Sequence, residues 1–291
     1  MCRHLGYLGP PAAVGEILTR GPHSLRTQSW APRDMRGGGT INADGFGVAW
    51  WMPTTAVPAA VPVPAAVPVP AMSAARYRNA APIWTDPAVD EVLPQLHSTA
   101  VLAAVRSATV GMPVERAACA PFTSGRWAFS HNGRIPDWQQ VLTAVAAEFG
   151  SPPLLDAEAH TDSAALWVIL RGVLDSGGPP DAAAAAAAHA DTARADASGA
   201  GDPAEALRRV TLAVLARAPE ARLNLLLGEG ETLWATTRHH SLSVLVTDEL
   251  AVVASEPYDD DPRWQAVPER QLVTLRPGLL SIVPLDPDPT R

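Results

Sequence analysis

Residues 1–9 read MCRHLGYLG, and the cysteine at position 2 decides how the rest of the chain is read. A residue as small as Cys2 after an initiator Met permits removal of Met1. The expected mature chain then begins with a thiol and a free α-amine on one Cα. The thiol titrates near ~8.5 and the α-amine near ~8, so the amine assists proton transfer from its own side chain. Cys2 is therefore the candidate nucleophile, against the plainer reading of an unprocessed second residue. The other cysteine, Cys119 in ERAACAPF, reads as a small buried hydrophobe. Two cysteines make neither a disulfide framework nor a four-cysteine zinc site.

Four further stretches carry groups that an acyl transfer at such a thiol needs. FSHNGRI, residues 129–135, holds Asn132 and Gly133. A side-chain amide and a backbone N–H supply two donors for an oxyanion. Taken alone, Asn-Gly between two strand-like runs reads instead as a type I′ hairpin turn. VRSATVG, residues 105–111, offers Arg106 for a substrate carboxylate and Thr109 for a further hydroxyl contact. The plainer fate of Arg106 is a surface ion pair. Asp162 in HTDSAAL stands at a helix start, where it either holds an ammonium or complements the helix dipole. NADGFGVAW, residues 42–50, packs Asn42, Asp44 and Gly45 before a strand, closing over a ligand or forming a glycine turn. One Arg and one Asp match the carboxylate and ammonium of an α-amino acid, and a side-chain amide further along would meet the thiol. The chemistry expected is cleavage of a γ-glutamyl or glutaminyl amide through a thioester. His97, His131, His160, His239 and His240 show no metal-ligand spacing, so neither a metal nor a cofactor is expected.

Bulk properties bound the rest. The 291 residues suffice for a substantial core, and 47% are hydrophobic. Twenty-two basic against thirty acidic residues give a formal charge of −8, which argues against a nucleic-acid partner. No apolar run reaches membrane-spanning length, and the start lacks a secretory signal's apolar core. A cytoplasmic protein with no membrane partner is expected; oligomeric state is not readable.

Residues 53–72, PTTAVPAAVPVPAAVPVPAM, read as a projecting insert within a strand–insert–strand hairpin, its strands Phe46–Met52 and about Ala75–Trp84. Residues 177–201, rich in Gly, Pro, Ala and Asp, read as a second insert. Leu166, Leu170 and Val173 predict a helix over 162–176. Asp202, Pro203 and Glu205 predict the capped start of another. Strands are expected at 101–106, 127–130, 222–227, 232–236, 242–246, 250–254, 271–275 and 279–283. Many strands with few helices, and no strict βαβ alternation, make an α+β layered fold of one domain over 2–291.

Those five stretches, taken in their order along the chain (MCRHLGYLG, NADGFGVAW, VRSATVG, FSHNGRI, HTDSAAL), resemble the class II glutamine amidotransferase domains of the N-terminal-nucleophile hydrolase superfamily. The resemblance implies a four-layer αββα sandwich of two antiparallel sheets between helices. It implies Cys2 as nucleophile after Met removal, Asn132 and Gly133 as oxyanion hole, and Arg106 and Asp162 as the grip on the glutamate end. VRSATVG departs from the amidotransferase pattern: Val110 stands where many members carry His, and Ser107 where they often carry Trp. A γ-glutamyl substrate larger than glutamine is the expectation. With nothing left over for an ammonia-using synthase domain, the chain is expected to be a hydrolase. QSWAPRDM, APFTSGRWAFSHNG, ARLNLLLGEGETLWATT and VVASEPYDDDPRWQAVPERQLV carry a closer likeness to a free-standing branch. That likeness implies a leaving portion with a trimethylammonium-imidazole group, for whose cation Trp30 and Trp50 are candidate aromatic faces.

Overall fold

The computed structural model describes residues 2–36, 41–53, 72–176 and 201–286. The expected inserts, 53–72 and 177–201, lie outside the described residues except for Pro53, Met72 and Gly201 at their ends.

Two antiparallel sheets stack face to face. The first holds β1 (Arg3–Ala13), β2 (Phe46–Pro53), β3 (Met72–Asn79), β4 (His97–Val105), β9 (Ser243–Val246), β10 (Ala251–Ala254) and β11 (Gln265–Ala266). Its strand order is β11-β9-β10-β1-β4-β2-β3. The second holds β5 (Phe122–Ser124), β6 (Trp127–Arg134), β7 (Arg222–Gly228), β8 (Leu233–Thr236), β12 (Gln271–Arg276) and β13 (Leu279–Pro284), in the order β13-β12-β8-β7-β6-β5.

Strand alternation sorts side chains into three apolar layers. Between the sheets pack Leu8, Leu102, Ala128, Leu226 and Leu233. On the outer face of the first sheet, Tyr7, Val101 and Val105 meet Val14 and Leu18 of α1 (Val14–Thr19), Leu25 of α2 (Leu25–Gln28) and Val89 of α3 (Ala88–Glu91). On the outer face of the second, Phe129, Leu225 and Leu227 meet Leu142 of α4 (Trp138–Phe149), Leu170 of α5 (Asp162–Ser176) and Val214 of α6 (Pro203–Arg217). Phe129 stacks on Trp167 at 5.5 Å, adding about 0.5–1.5 kcal/mol beyond burial. The result is the αββα sandwich that the resemblance implied. The cap of α6 also forms as read: Asp202 accepts from the Ala204 N–H at 3.0 Å, with Pro203 in the first turn.

Two local readings change. β3 runs Met72–Asn79 rather than 75–84, because Pro82 offers no ladder donor and the chain turns into a 3-10 helix at Ile83–Thr85. Asn132-Gly133 is not a turn at all. β6 continues through it to Arg134, pairing Asn132 with Asn224 and Gly133 with Leu223.

Candidate active site

Register brings the sequence motifs to one end of the sandwich. Across the first sheet Arg3 pairs with Val105, Val105 with Phe46, and Phe46 with Asn79. Cys2, Arg106, Gly45 and Ala80 therefore leave the sheet along one edge. In the second sheet Arg134 pairs with Arg222. Between these edges lies a cavity of about 250 Å³, walled by Cys2, by Ser107 to Val110, by Gly133 and Arg134, and by Arg222 and His240. The thiol, Thr109 and Gly133 thus share one small space. A larger cavity of about 490 Å³, between α4 and the segment that follows it, is mostly apolar and contains none of these groups.

The half-buried Cys2 thiol lies 3.7 Å from the Ser107 carbonyl oxygen. The next residue anchors it. Arg3, 1% exposed, pairs with Glu256 at 2.8 Å and donates to the Asp34 carbonyl. Glu256 also accepts from the N–H groups of Arg33 at 2.7 Å and Asp34 at 3.2 Å. Burial lowers the Arg3 pKa, and Glu256 and Asp34 oppose that. Ser255 completes the anchor, exchanging backbone and hydroxyl hydrogen bonds with His4 at 3.0 Å each. Sequence reasoning missed Arg3, Ser255 and Glu256; the SEPYDDDP run gave no sign that its acid reaches back to β1.

Asn132 is fully buried on the inner face of β6, with Nδ2 donating weakly to Ser255 Oγ at 3.4 Å. Its Oδ1 has no hydrogen-bond partner among the described residues. The amide is therefore loosely held one residue from the cavity wall. Gly133 cannot carry a side chain, since a Cβ there would collide with the Arg222 carbonyl oxygen and His131 Nε2. His131 explains the tightness. Its Nε2 donates to Arg222 O at 2.8 Å, and its Nδ1 faces Ser163 Oγ at 3.0 Å. A carbonyl only accepts, so Nε2 carries a proton, while the Ser163 hydroxyl beside Nδ1 also reaches Asp162 Oδ1 at 3.3 Å.

NADG braces the loop after β4. Asp44 N–H donates to Arg106 O at 3.0 Å, and Asp44 Oδ2 accepts from Ala108 N–H at 2.7 Å. Gly45 adopts φ +114°, and a Cβ there would strike Cys119 Sγ, so glycine is required twice over. Asn42 sits behind, buried, its N–H on Ser29 O at 2.6 Å. Arg106 makes no ion pair among the described residues, and its Nη1 lies 3.5 Å from Asp44 O. Cys119 is wholly buried as expected, its thiol pushed up to about 11 by burial.

Asp162 stands apart from the cavity walls. Its Oδ2 accepts from Ile135 N–H at 3.0 Å, and its Oδ1 from Ser163 N–H at 2.8 Å. It thereby pins the exit of β6 to the first turn of α5. A carboxylate has about four acceptor positions, so capacity remains for an ammonium.

Two histidines stay neutral. His4 is completely buried, and burial lowers its pKa to about 3, with His131 adding to the effect. Burial likewise lowers His240, on the cavity wall, to about 2. Neither has the pKa of a general base near neutrality.

Of the two tryptophans weighed for a cation, Trp50 packs against the outer core of the first sheet. Trp30 is exposed and meets Trp84 edge-on at 5.5 Å, just beyond the end of β3. Among the described residues no group of three His, Cys, Asp or Glu side chains is arranged to hold a metal, and no helix is long and apolar enough to cross a membrane.

No family model matches the chain. Solved structures share the fold: a glutamine aminotransferase class-II domain protein from Silicibacter pomeroyi has TM-score 0.55 at 21% identity, over 98% of this chain and 100% of that one. The glutamine phosphoribosylpyrophosphate amidotransferase of Bacillus subtilis has TM-score 0.59 at 14% identity, over 99% of this chain and 50% of that one. Individual sequences are closer. The γ-glutamyl-hercynylcysteine sulfoxide hydrolase of Mycobacterium tuberculosis (strain CDC 1551 / Oshkosh) is 38% identical over 286 residues, 98% of this chain and 97% of that protein. Its counterpart in Mycolicibacterium smegmatis is 36% identical over 287 residues, 98% of this chain and 100% of that protein. With the thiol, the Asn-Gly pair and the Arg106 loop converging at one end of this sandwich, the chain belongs to the γ-glutamyl-hercynylcysteine sulfoxide hydrolases, a family built on the class II glutamine amidotransferase fold.

Proposed function

We propose that this protein hydrolyses the γ-glutamyl amide of γ-glutamyl-hercynylcysteine S-oxide, releasing glutamate and hercynylcysteine S-oxide, a step of ergothioneine biosynthesis. One observation carries the reading beyond the family likeness. Cys2, Thr109 and Gly133 share one cavity, with Asn132 directly behind it.

After Met1 is removed, the Cys2 sulfur attacks the γ-carbonyl carbon while the α-amine takes the thiol proton. The carbonyl oxygen becomes an oxyanion that Asn132 Nδ2–H and Gly133 N–H stabilise. Asn132 suits this role because its one side-chain hydrogen bond among the described residues, at 3.4 Å, is weak enough to be exchanged for a charge. The protonated α-amine returns the proton to the departing nitrogen, the C–N bond breaks, and a glutamyl thioester remains. Water then attacks that thioester through the same hole, and glutamate leaves the restored thiol. Arg106 and Thr109 hold the glutamyl carboxylate and Asp162 its ammonium, fixing the carbonyl against the sulfur. Asp44 and Gly45 hold the Arg106 loop in place, and Asn42 ties the segment before them to Gln28 and Ser29. The exposed Trp30, edge-on to Trp84, is a candidate aromatic face for the trimethylammonium group. Trp50, the other candidate, is partly buried against the outer core of the first sheet.

The test is glutamate release from the synthetic sulfoxide conjugate and from glutamine, side by side, on protein whose intact mass shows Met1 removed. The conjugate should be strongly preferred, and Cys2→Ala should abolish turnover. Faster release from glutamine would make the protein a glutaminase instead.

A further inference from the structure

Arg134 and Arg222 stand directly opposite each other in the β6–β7 pair, and both form the wall of the cavity that contains Cys2. Opposed residues of an antiparallel pair have Cβ atoms only about 4.5–5.5 Å apart, and like charges so placed repel. The chain has acids enough to relieve this, thirty against twenty-two bases. Other arginines receive them: Arg76 and Arg78 share Glu158, Arg217 meets Glu148, and Arg270 meets Asp286. Among the described residues, Arg134 and Arg222 have no carboxylate partner and no side-chain hydrogen bond. Two unneutralised guanidinium groups, held together beside a nucleophile, form a place for an anion.

We infer that Arg134 and Arg222 bind the carboxylate of the departing amine. The inference rests on the proposed function, and covalent geometry supplies the fit. When the leaving nitrogen belongs to an α-amino acid, its carboxylate carbon is three bonds from the carbonyl under attack, about 3–4 Å away. A carboxylate so close to the reacting centre must lie within the same small cavity. Arg106 is already committed to the glutamyl carboxylate, so the second carboxylate needs its own partners. A paired, fork-shaped site suits it. Glutamine, which releases ammonia, has nothing to place there. The two arginines therefore select γ-glutamyl amides of amino acids over glutamine.

The test compares the sulfoxide conjugate with the same molecule lacking only the cysteinyl carboxylate. Wild-type protein should prefer the carboxylated form by about 10- to 100-fold in kcat/KM, the range of a charge-assisted hydrogen bond. Arg222→Gln should remove most of that preference and the Arg134→Gln/Arg222→Gln double variant all of it, with Arg222→Lys in between. Since the pair is mutually repulsive, the glutamine variants should melt no lower than the parent, whereas a structural role would lower Tm. Equal losses on both substrates, a lowered Tm, or no wild-type preference would overturn the subsite alone. Failure of the wild-type protein to release glutamate from either conjugate would defeat the functional reading and the subsite with it.

Discussion

Replacing Glu256 by Ala isolates what holds the nucleophile in place. Both members of the Arg3–Glu256 pair are buried, with side chains 1% and 4% exposed. Removing the acid takes the Glu256 carboxylate from a guanidinium in a poorly solvated site, a loss of about 3–5 kcal/mol. The N–H groups of Arg33 and Asp34 lose their acceptor as well, so the segment around residues 31–36 loosens with it. For a chain of this size about 4 kcal/mol lowers Tm by roughly 8 °C. Thermal and urea unfolding of the full chain measure the stability, and turnover of the γ-glutamyl conjugate measures the placement. Sulfur displaced by about 1 Å loses on the order of 10²-fold in kcat. The Arg3→Met/Glu256→Leu double variant separates the two effects. A buried pair replaced by apolar side chains of similar volume is often neutral or stabilising. The double variant should thus regain parental Tm while staying catalytically impaired, because nothing then ties β1 to the segment around Asp34. A cost below about 1 kcal/mol for Glu256→Ala, typical of an exposed pair, would refute the burial argument. Full kcat in the double variant would refute the positioning argument.

Removing the Asn132 amide by Asn132→Ala should lower kcat on the order of 10²–10³-fold with little change in Tm; an unchanged kcat excludes it from the oxyanion hole. Arg106→Ala should act chiefly through KM for γ-glutamyl substrates, and an unaltered kcat/KM would remove it from the site. Acid sensitivity follows from His4 and His240, whose folded pKa values of about 3 and about 2 lie below the unfolded value near 6.5. The unfolded chain binds the extra protons, so each histidine's stability is fully present above pH ~6.5 and is lost as pH falls. The slope is about 1.4 kcal/mol per pH unit per histidine, down towards pH ~3. His4→Leu should roughly halve the histidine part of that slope in urea midpoints at pH 7, 6 and 5; an unchanged slope would mean that His4 does not contribute.

What the sequence disclosed was what local rules govern. The helix over 162–176 and the Asp202-Pro203 cap follow from spacing within single turns, and both form. The strand β1 was harder to see, since RHLGYLGPPAA mixes two glycines and two prolines into its alternation. At Asn132-Gly133 a strong local turn signal loses to tertiary context. Pairing with Asn224 and Leu223 continues the strand, and His131 and Arg222 leave room only for glycine. The candidate nucleophile and its helpers were legible because they lie in short motifs whose order matches a known family. The groups around them were not. Arg3 meets Glu256, Asn132 meets Ser255, and Arg134 meets Arg222 only once strands distant in sequence are paired and the two sheets stacked. Charge makes the same point in energetic terms. The expectation that a charge of −8 disfavours nucleic acid as a partner rests on a sum over the chain, and such a sum carries no information about position. Folding draws Arg134 and Arg222 together beside the thiol, while the acids that other arginines meet lie elsewhere, so an acidic protein keeps two arginines on the wall of the cavity that contains Cys2.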